Sequence, residues 1–219
     1  MTKETMHPII KLISYNISWV LVVPTLVILF RHNHLKKELK VAAVFVGIGI
    51  FFEILSRIIA HIYKTNLPML HLYTILEFCL IAWFYHIFFD GFFNHKTVPI
   101  LILSFVGFAI INITFIQSLF EFNTYPRGLE SLLITGLAIL AFYKMLQELE
   151  YTRLDKSPIF WINSGFLIYF AGSLFLFLMG NLLLSKDRQL SLIAWTIHAF
   201  LFGFMQIFIA IGLWHSPRR

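Results

Sequence analysis

Long apolar runs, separated by short polar connections, dominate the pattern of hydrophobic and polar positions along this chain. A helix needs about 20 mainly apolar residues to cross the hydrocarbon core of a bilayer. Seven runs have this character, near residues 9–30, 41–62, 67–89, 98–120, 126–147, 158–184 and 190–214. The short connections make consecutive helices antiparallel neighbours and leave no segment long enough for a soluble domain. The pattern therefore predicts an all-α fold, a single polytopic membrane helix bundle with seven transmembrane helices.

The composition supports a membrane environment and narrows the classes of partner. Of the 219 residues, 59% are hydrophobic and 13% are charged, whereas soluble domains have about 25% charged residues. A net charge of +6 would suggest nucleic-acid binding in a soluble protein. Here the basic residues lie in short loops, where membrane topology explains them, so we expect the lipid bilayer and no nucleic acid as a partner. The single cysteine, Cys79, can form no intrachain disulfide.

Lysine and arginine are distributed unevenly between the two sets of loops. One set carries ten of these residues and the other carries six, with much of the difference in the segment "RHNHLKKELK" at residues 31–40. Cytoplasmic loops are usually the richer in lysine and arginine. This asymmetry predicts that the N-terminus lies outside and the C-terminus lies in the cytoplasm.

Several charged residues fall inside the predicted spans. Such a side chain costs about 2.5 to 3.5 kcal/mol near the bilayer centre, so it normally faces protein or water and has a partner. Glu53, Glu77, Glu130 and Arg57 lie within spans, and Arg127 lies near a span end. At a rise of about 1.5 Å per residue, most of the polar side chains fall in the outer half of the membrane. We therefore predict a polar cavity that opens outward and is lined by the second, third, fifth and seventh spans.

The pairing of these charges has two interpretations. Glu53 and Arg57 are four residues apart, so they share a helix face and can form an internal ion pair. Alternatively, Arg57 reaches across to Glu77 or Glu130 and to an anionic group of a ligand. In both cases the three carboxylates outnumber the guanidinium groups, and at least one acid is left without its own cation.

The histidines within spans are also open to two interpretations. His71 begins the segment "HLYTILEF", in which Tyr73 and Glu77 share a face at a spacing of four. This cluster fits either a ligand-binding wall or hydrogen-bonded packing. His198 is a single histidine on an otherwise apolar helix, where a structural role and a binding role are both consistent with the sequence.

Enzymatic interpretations find little support in the motifs. A zinc hydrolase needs about three protein ligands, which here would require His61, His71 and His198 to converge from three helices. The chain has no Gly-x-Ser-x-Gly turn and no glycine-rich phosphate loop. We therefore predict no catalytic residue, no metal site and no cofactor, although the sequence leaves the question of enzymatic activity open.

Four segments resemble a group of bacterial seven-helix membrane proteins whose activity is uncharacterised and which is associated with sensor histidine kinases. The segments are "HLYTILEF", "FNTYPRGLES", "SPIFWINSGFLIYFAGSLFLF" and "AWTIHAFLFGFMQIFIAIGLW". The resemblance implies a sensory or signalling role in the bacterial cytoplasmic (inner) membrane. It also implies a separate partner, such as a histidine kinase, that contacts the cytoplasmic loops. Within these motifs, the residues selected for ligand binding are His71, Tyr73, Glu77, Arg127, Glu130, Tyr169 and His198.

Taken together, these observations predict a receptor-like membrane module that binds a small or lipid-like ligand in an outward-facing polar pocket. Arg57 and Arg127 would hold anionic groups, and Glu77 and Glu130 would accept hydrogen bonds or bind cations. The predicted ligand-binding set is Glu53, Arg57, His71, Tyr73, Glu77, Arg127, Glu130, Tyr169 and His198. A small proton-coupled transporter and a membrane-embedded lipid hydrolase are the alternatives.

Overall fold

Seven long helical segments make up most of the described part of the chain. The computed structural model describes residues 17–148, 153–182 and 188–217. The helices are α1 (Val22–Arg31, entered through a 3-10 turn at Ile17–Leu21), α2 (Lys37–Tyr63), α3 (Leu67–Phe88), α4 (Thr97–Ile111), α5 (Thr124–Gln147), α6 (Pro158–Leu178) and α7 (Arg188–Trp214). The described residues contain no strand. All seven helical segments are long and apolar enough to cross a membrane, which confirms the predicted all-α bundle. Residues 9–16 of the first predicted span lie outside the described residues.

The outer surface of the bundle is apolar. Large side chains such as Phe115, Phe30 and Leu103 are 81%, 75% and 72% exposed. Soluble proteins rarely expose contiguous apolar surface on this scale. The exposed side chains and the apolar helices together indicate an integral membrane protein whose surroundings are lipid.

Helices α5, α6 and α7 pack side by side, and α3 lies against α2, α4 and α5. Helix α1 packs on α7 and α2. The contact between α6 and α7 is close because glycines lie at it: a Cβ at Gly212 would lie 2.6 Å from the Pro158 carbonyl oxygen, and one at Gly165 would lie 3.2 Å from the Met205 carbonyl oxygen. Small residues at such contacts let membrane helices approach closely.

A buried lysine caps helix α3. The cap lies at the end of the bundle that contains the connecting residues 32–36, 89–96 and 153–157. The side chain of Lys144 donates to the carbonyl oxygens of Phe88, at 2.7 Å, and Asp90, at 3.2 Å. These carbonyls lie where α3 ends and lack helical partners. Lys144, a residue of α5, therefore links this helix to the end of α3.

Helix α4 ends earlier than its apolar run predicts. A π-helical turn, Asn112–Ile116, follows the α-helix, and Gln117 adopts an extended conformation. The Gln117 amide donates to the Asn112 carbonyl at 2.8 Å, and the Asn112 side chain donates to the Gln117 side chain at 3.1 Å. Residues 117–120, predicted as helix, therefore begin a loop at residues 117–123. Helix α6 is interrupted at Met179, residues 180–182 are helical again, and residues 183–184 of the predicted span lie outside the described residues.

Candidate functional site

A buried cluster of one guanidinium and two carboxylates lies between α3 and α5. Arg127, in the first turns of α5, donates through Nη1 to Glu77 Oε2 and, at 2.8 Å, to Glu130 Oε2. Arg127, Glu77 and Glu130 are only 6%, 1% and 0% exposed. Glu130 follows Arg127 by three residues and so lies on the same helix face, while Glu77 comes from α3. The structure thus brings three of the sequence-predicted site residues into direct contact.

Aromatic side chains, two of them tyrosines, surround this cluster. The Arg127 guanidinium carbon lies 4.7 Å from the centre of the Phe177 ring and 5.9 Å from that of Tyr73. The Tyr73 hydroxyl donates to Glu77 Oε1 at 3.2 Å. Glu130 Oε1 has no hydrogen-bond partner within the described part of the chain. Two carboxylates therefore share one guanidinium, and one carboxylate oxygen is left unbound.

A partly open cavity of about 170 Å³ lies beside the cluster. Its polar walls come from helices α2, α3, α5, α6 and α7, and its apolar walls are mostly phenylalanine and leucine. The lining residues are Leu21, Phe45, Gly49, Phe52, Glu53, Ser56, Leu70, Tyr73, Arg127, Tyr169, His198, Phe202 and Gln206. Five of the predicted ligand-binding residues therefore line one cavity: Glu53, Tyr73, Arg127, Tyr169 and His198.

Two side chains on facing helices are hydrogen-bonded to each other in this wall. The Tyr169 hydroxyl lies 3.0 Å from His198 Nε2. The Tyr169 and His198 rings also contact each other, with centroids 5.5 Å apart. This pair links α6 to α7 at the cavity and holds the orientation of both rings.

Glu53 and Arg57 form the local ion pair that their spacing allows. Arg57 Nε donates to Glu53 Oε1 at 2.7 Å. The Arg57 side chain is 54% exposed and that of Glu53 is 35% exposed. Arg57 is absent from the cavity lining, whereas Glu53 belongs to it. Arg127, and not Arg57, is the cation bound by Glu77 and Glu130.

His71 supports the loop at residues 117–123 and does not line the cavity. His71 Nε2 lies 3.1 Å from the Glu121 carbonyl oxygen. Asn123 Nδ2 donates to Thr74 Oγ1 at 2.7 Å, and Asn181 Nδ2 donates to the Phe122 carbonyl at 2.8 Å. These bonds fasten the loop to α3 and to the segment that follows α6. The segments "HLYTILEF" and "FNTYPRGLES" therefore contact each other here, and their hydrogen bonds hold the loop against α3.

Sequence reasoning missed Gln206 and Ser56 as cavity residues. Gln206 is 1% exposed, and its Oε1 has no hydrogen-bond partner within residues 17–148, 153–182 and 188–217. The available signal was an amide side chain deep in an apolar span, where burial without a hydrogen-bond partner costs free energy. Spacing alone did not show that Gln206 lies on the same face of α7 as His198, two turns earlier.

The polar groups on the far side of the cavity are paired and packed among rings. Tyr85 donates to Asn163 Oδ1 at 2.7 Å, and Asn163 Nδ2 donates to the Ala138 carbonyl at 3.1 Å. The Phe166 ring lies against Phe45 and Tyr85. In this conformation the region of Tyr85 and Asn163 is a filled layer of the core.

Neither metal ligation nor a known relative identifies the site. Within the described residues, no three His, Cys, Asp or Glu side chains are placed to hold a metal ion. His71 and His198 have the separate partners described above, so the zinc-hydrolase alternative lacks the convergence that it requires. No protein-family model matches the chain, and no curated protein or solved structure is significantly similar to it.

Proposed function

We propose that this chain is a receptor-like membrane module that binds a small or lipid-like ligand in the cavity between its helices and signals through a partner. The observation that carries the proposal is a cavity with two charged residues, Glu53 and Arg127, in its wall, inside an otherwise apolar bundle. Buried charges in membrane spans are costly and usually mark functional sites. A cavity with a few convergent polar groups is the usual form of a small-molecule site.

The distribution of the lining residues suits a receptor. Five helices and the turn before α1 contribute to the wall, so one occupant contacts most of the bundle. A ligand shifts a conformational equilibrium by its difference in affinity for the two states. Binding here would therefore bias the packing of several helices together.

A small proton-coupled transporter is the second candidate. The observation that favours it is the second carboxylate on Arg127, because an unbalanced buried acid is a common element of proton relays. Transport also requires a polar path beyond the cavity. The layer formed by Tyr85, Asn163 and Phe166 fills that region in this conformation, which supports the receptor over the transporter.

Topology and location belong to the same proposal. The excess of lysine and arginine in the loops at residues 31–40, 89–97 and 147–157 favours a cytoplasmic position for that end. The cavity would then be reached from the opposite, outer half of a bacterial inner membrane. A signalling partner such as a histidine kinase would contact the loops at residues 31–40 and 147–157.

Cysteine accessibility tests the cavity. In a Cys79→Ala background, Gly49→Cys places a thiol in the wall of the cavity, and Gly47→Cys places one on the exposed surface of the same helix. The Gly49 site has room, because an added Cβ would come no closer than 3.9 Å to its neighbours. The probe is 2-aminoethyl methanethiosulfonate, added to the purified protein in detergent.

Only a thiolate reacts with this reagent, and apolar surroundings disfavour the thiolate, so we expect Gly49→Cys to react at least about tenfold faster than Gly47→Cys. This result would support an aqueous cavity among the helices. Equal, slow reaction at both positions would overturn the proposal, since the cavity would then be closed to water-borne molecules.

A further inference from the structure

We infer that the ligand of this cavity is a small organic monocation, such as a primary ammonium compound; this inference rests on the proposed function. The first observation is the charge balance of the cavity and the groups bound to its walls. Glu53, Glu77 and Glu130 carry three carboxylates, against the guanidinium groups of Arg57 and Arg127. Among the described residues, the carboxylates of this group therefore exceed its guanidinium groups by one, and a cationic occupant would complete the pairing.

The positive charge of the guanidinium in the wall is already balanced by carboxylates of the protein. Arg127 already binds Glu77 and Glu130 through Nη1, and the nearby Glu53 adds a further carboxylate to the lining. An anionic ligand would add a second unbalanced negative charge where the dielectric is low and repulsion is strong. The expectation that Arg57 and Arg127 hold anionic groups is therefore not the one that this geometry favours.

The second observation is an unused acceptor in the wall. Gln206 lines the cavity and is 1% exposed, and its Oε1 lacks a donor among the described residues. A buried polar atom without a partner costs about 1 to 3 kcal/mol. An ammonium group carries three donors and no acceptor, so it complements Gln206 where a carboxylate does not.

The third observation is the aromatic content of the wall. The rings of Phe45, Phe52, Tyr73, Tyr169 and Phe202 line the cavity. Aromatic faces attract cations within about 6 Å of the ring centre, and sites for organic ammonium ions use this attraction. The same rings contact the apolar part of a ligand. A volume of about 170 Å³ is suitable for a small molecule.

The charge preference can be measured without knowing the natural ligand. In the Cys79→Ala, Gly49→Cys protein, the rates of cationic 2-aminoethyl and anionic 2-sulfonatoethyl methanethiosulfonate are compared. The same rate ratio at the exposed position Lys96→Cys corrects for intrinsic reactivity. Because one unbalanced charge acts at short range in a site of low dielectric, we expect the corrected ratio to favour the cation at least about tenfold.

A protection assay tests binding itself. Butylammonium should slow the modification of Gly49→Cys by a neutral methyl methanethiosulfonate reagent at concentrations where butyrate of equal length does not. If Gly49→Cys is modified by no reagent, the proposed function fails. If it is modified but shows no cation preference, or is protected better by butyrate or by a zwitterionic amino acid, the cavity stands and the monocation inference is overturned.

Glu130→Gln identifies the source of the preference. Glutamine is nearly isosteric with glutamate, and Arg127 keeps Glu77 as its anionic partner, so the fold should persist. We expect the corrected cation preference to fall to nearly one, because the unbalanced charge is removed. An unchanged preference in a folded Glu130→Gln protein would contradict the inference, since the unbalanced charge would not be what attracts the cation.

Discussion

At the scale of single residues, the two intramembrane arginines differ in what surrounds them. Arg127 is 6% exposed and binds two carboxylates in the core. The Arg57 side chain is 54% exposed and bonds to Glu53 on its own helix. Loss of Arg57 would leave one carboxylate, Glu53, at the wall of the partly open cavity, whereas loss of Arg127 would leave two carboxylates buried in the core without a cation. The arginine–carboxylate interaction at Arg127 should therefore contribute more to the stability of the fold than the one at Arg57.

Arg127→Gln should destabilise the bundle far more than Arg57→Gln. Loss of Arg127 leaves Glu77 and Glu130 buried without a cation, and we expect a cost of about 3 to 5 kcal/mol. Loss of Arg57 should cost less, because it leaves only Glu53, which lines the partly open cavity. Unfolding by SDS in mixed micelles measures both. Similar losses for the two variants would show that Arg127 is not the buried partner of the two acids.

The sequence revealed the importance of the acids but not their pairing. Glu77, Arg127 and Glu130 stand out as charged residues in or beside apolar runs. Which arginine meets the acids depends on how α3 and α5 rotate about their axes, and that rotation is set by packing. Length and hydropathy carry no information on it. The sequence therefore left open whether Arg57 pairs with Glu53 on its own helix or reaches across to Glu77 or Glu130.

At the scale of helices, glycines determine how closely α6 and α7 approach. A Cβ at Gly212 would lie 2.6 Å from both the Pro158 carbonyl oxygen and Ile162 Cγ1. The backbone of α6 must therefore move away if Gly212 gains a side chain. Because Tyr169 and His198 form their hydrogen bond across the same pair of helices, this spacing also affects the cavity wall.

Gly212→Ala should destabilise the protein by about 1 to 3 kcal/mol through overpacking. The matched control is Gly107→Ala on α4, where an added Cβ would meet nothing within 4 Å. That change should raise stability by up to about 1 kcal/mol, since alanine favours the helix. Denaturant titration of both variants measures the difference. A neutral Gly212→Ala would contradict the close contact described for these helices.

Lys144→Met tests the cap at the end of α3. The substitution keeps an unbranched chain but removes the donor to Phe88 and Asp90, so we expect a loss of about 1 to 3 kcal/mol. Lys96→Met at an exposed position should change stability by less than about 0.5 kcal/mol. The same denaturant titration applies. Equal effects would mean that the lysine hydrogen bonds add nothing to the stability of the bundle.

Helix number was predictable at this scale, but the end of α4 was not. Hydropathy counts "FIQSLF" at residues 115–120 as part of an apolar run, and the run therefore extends to residue 120. In the structure, the side chains of Asn112 and Gln117 bond to each other and the helix ends at this point. An average of hydropathy over the run does not depend on whether two amide side chains in it are hydrogen-bonded, so it could not predict this helix end.

At the scale of the whole molecule, the cavity connects most of the bundle. Its walls include α2, α3, α5, α6 and α7, while α4 lies outside it and contacts α3 and α5. The sequence predicted the second, third, fifth and seventh spans as the wall and separately selected Tyr169 of the sixth span for ligand binding. In the structure Tyr169 lines the same cavity, together with Leu21 before the first helix. The contribution of Leu21 could not be found from the positions of polar residues, because its side chain is apolar.

The proposed orientation is testable in intact bacteria that express the protein. With Cys79→Ala as background, Lys64→Cys lies between α2 and α3, and Lys96→Cys lies before α4 at the other end of the bundle. Because loops rich in lysine and arginine stay in the cytoplasm, a membrane-impermeant maleimide should label Lys64→Cys and not Lys96→Cys. The reverse labelling would place the cavity in the cytoplasmic half of the membrane.

The most direct test of a ligand cavity in the bundle is the set of three rates at which 2-aminoethyl methanethiosulfonate modifies Ser56→Cys, Gly49→Cys and Gly47→Cys. All three thiols are on α2, and Ser56 and Gly49 line the cavity whereas Gly47 does not. We predict fast reaction at Ser56→Cys and Gly49→Cys and at least about tenfold slower reaction at Gly47→Cys. Slow reaction at Gly49→Cys, equal to that at Gly47→Cys, would contradict the account.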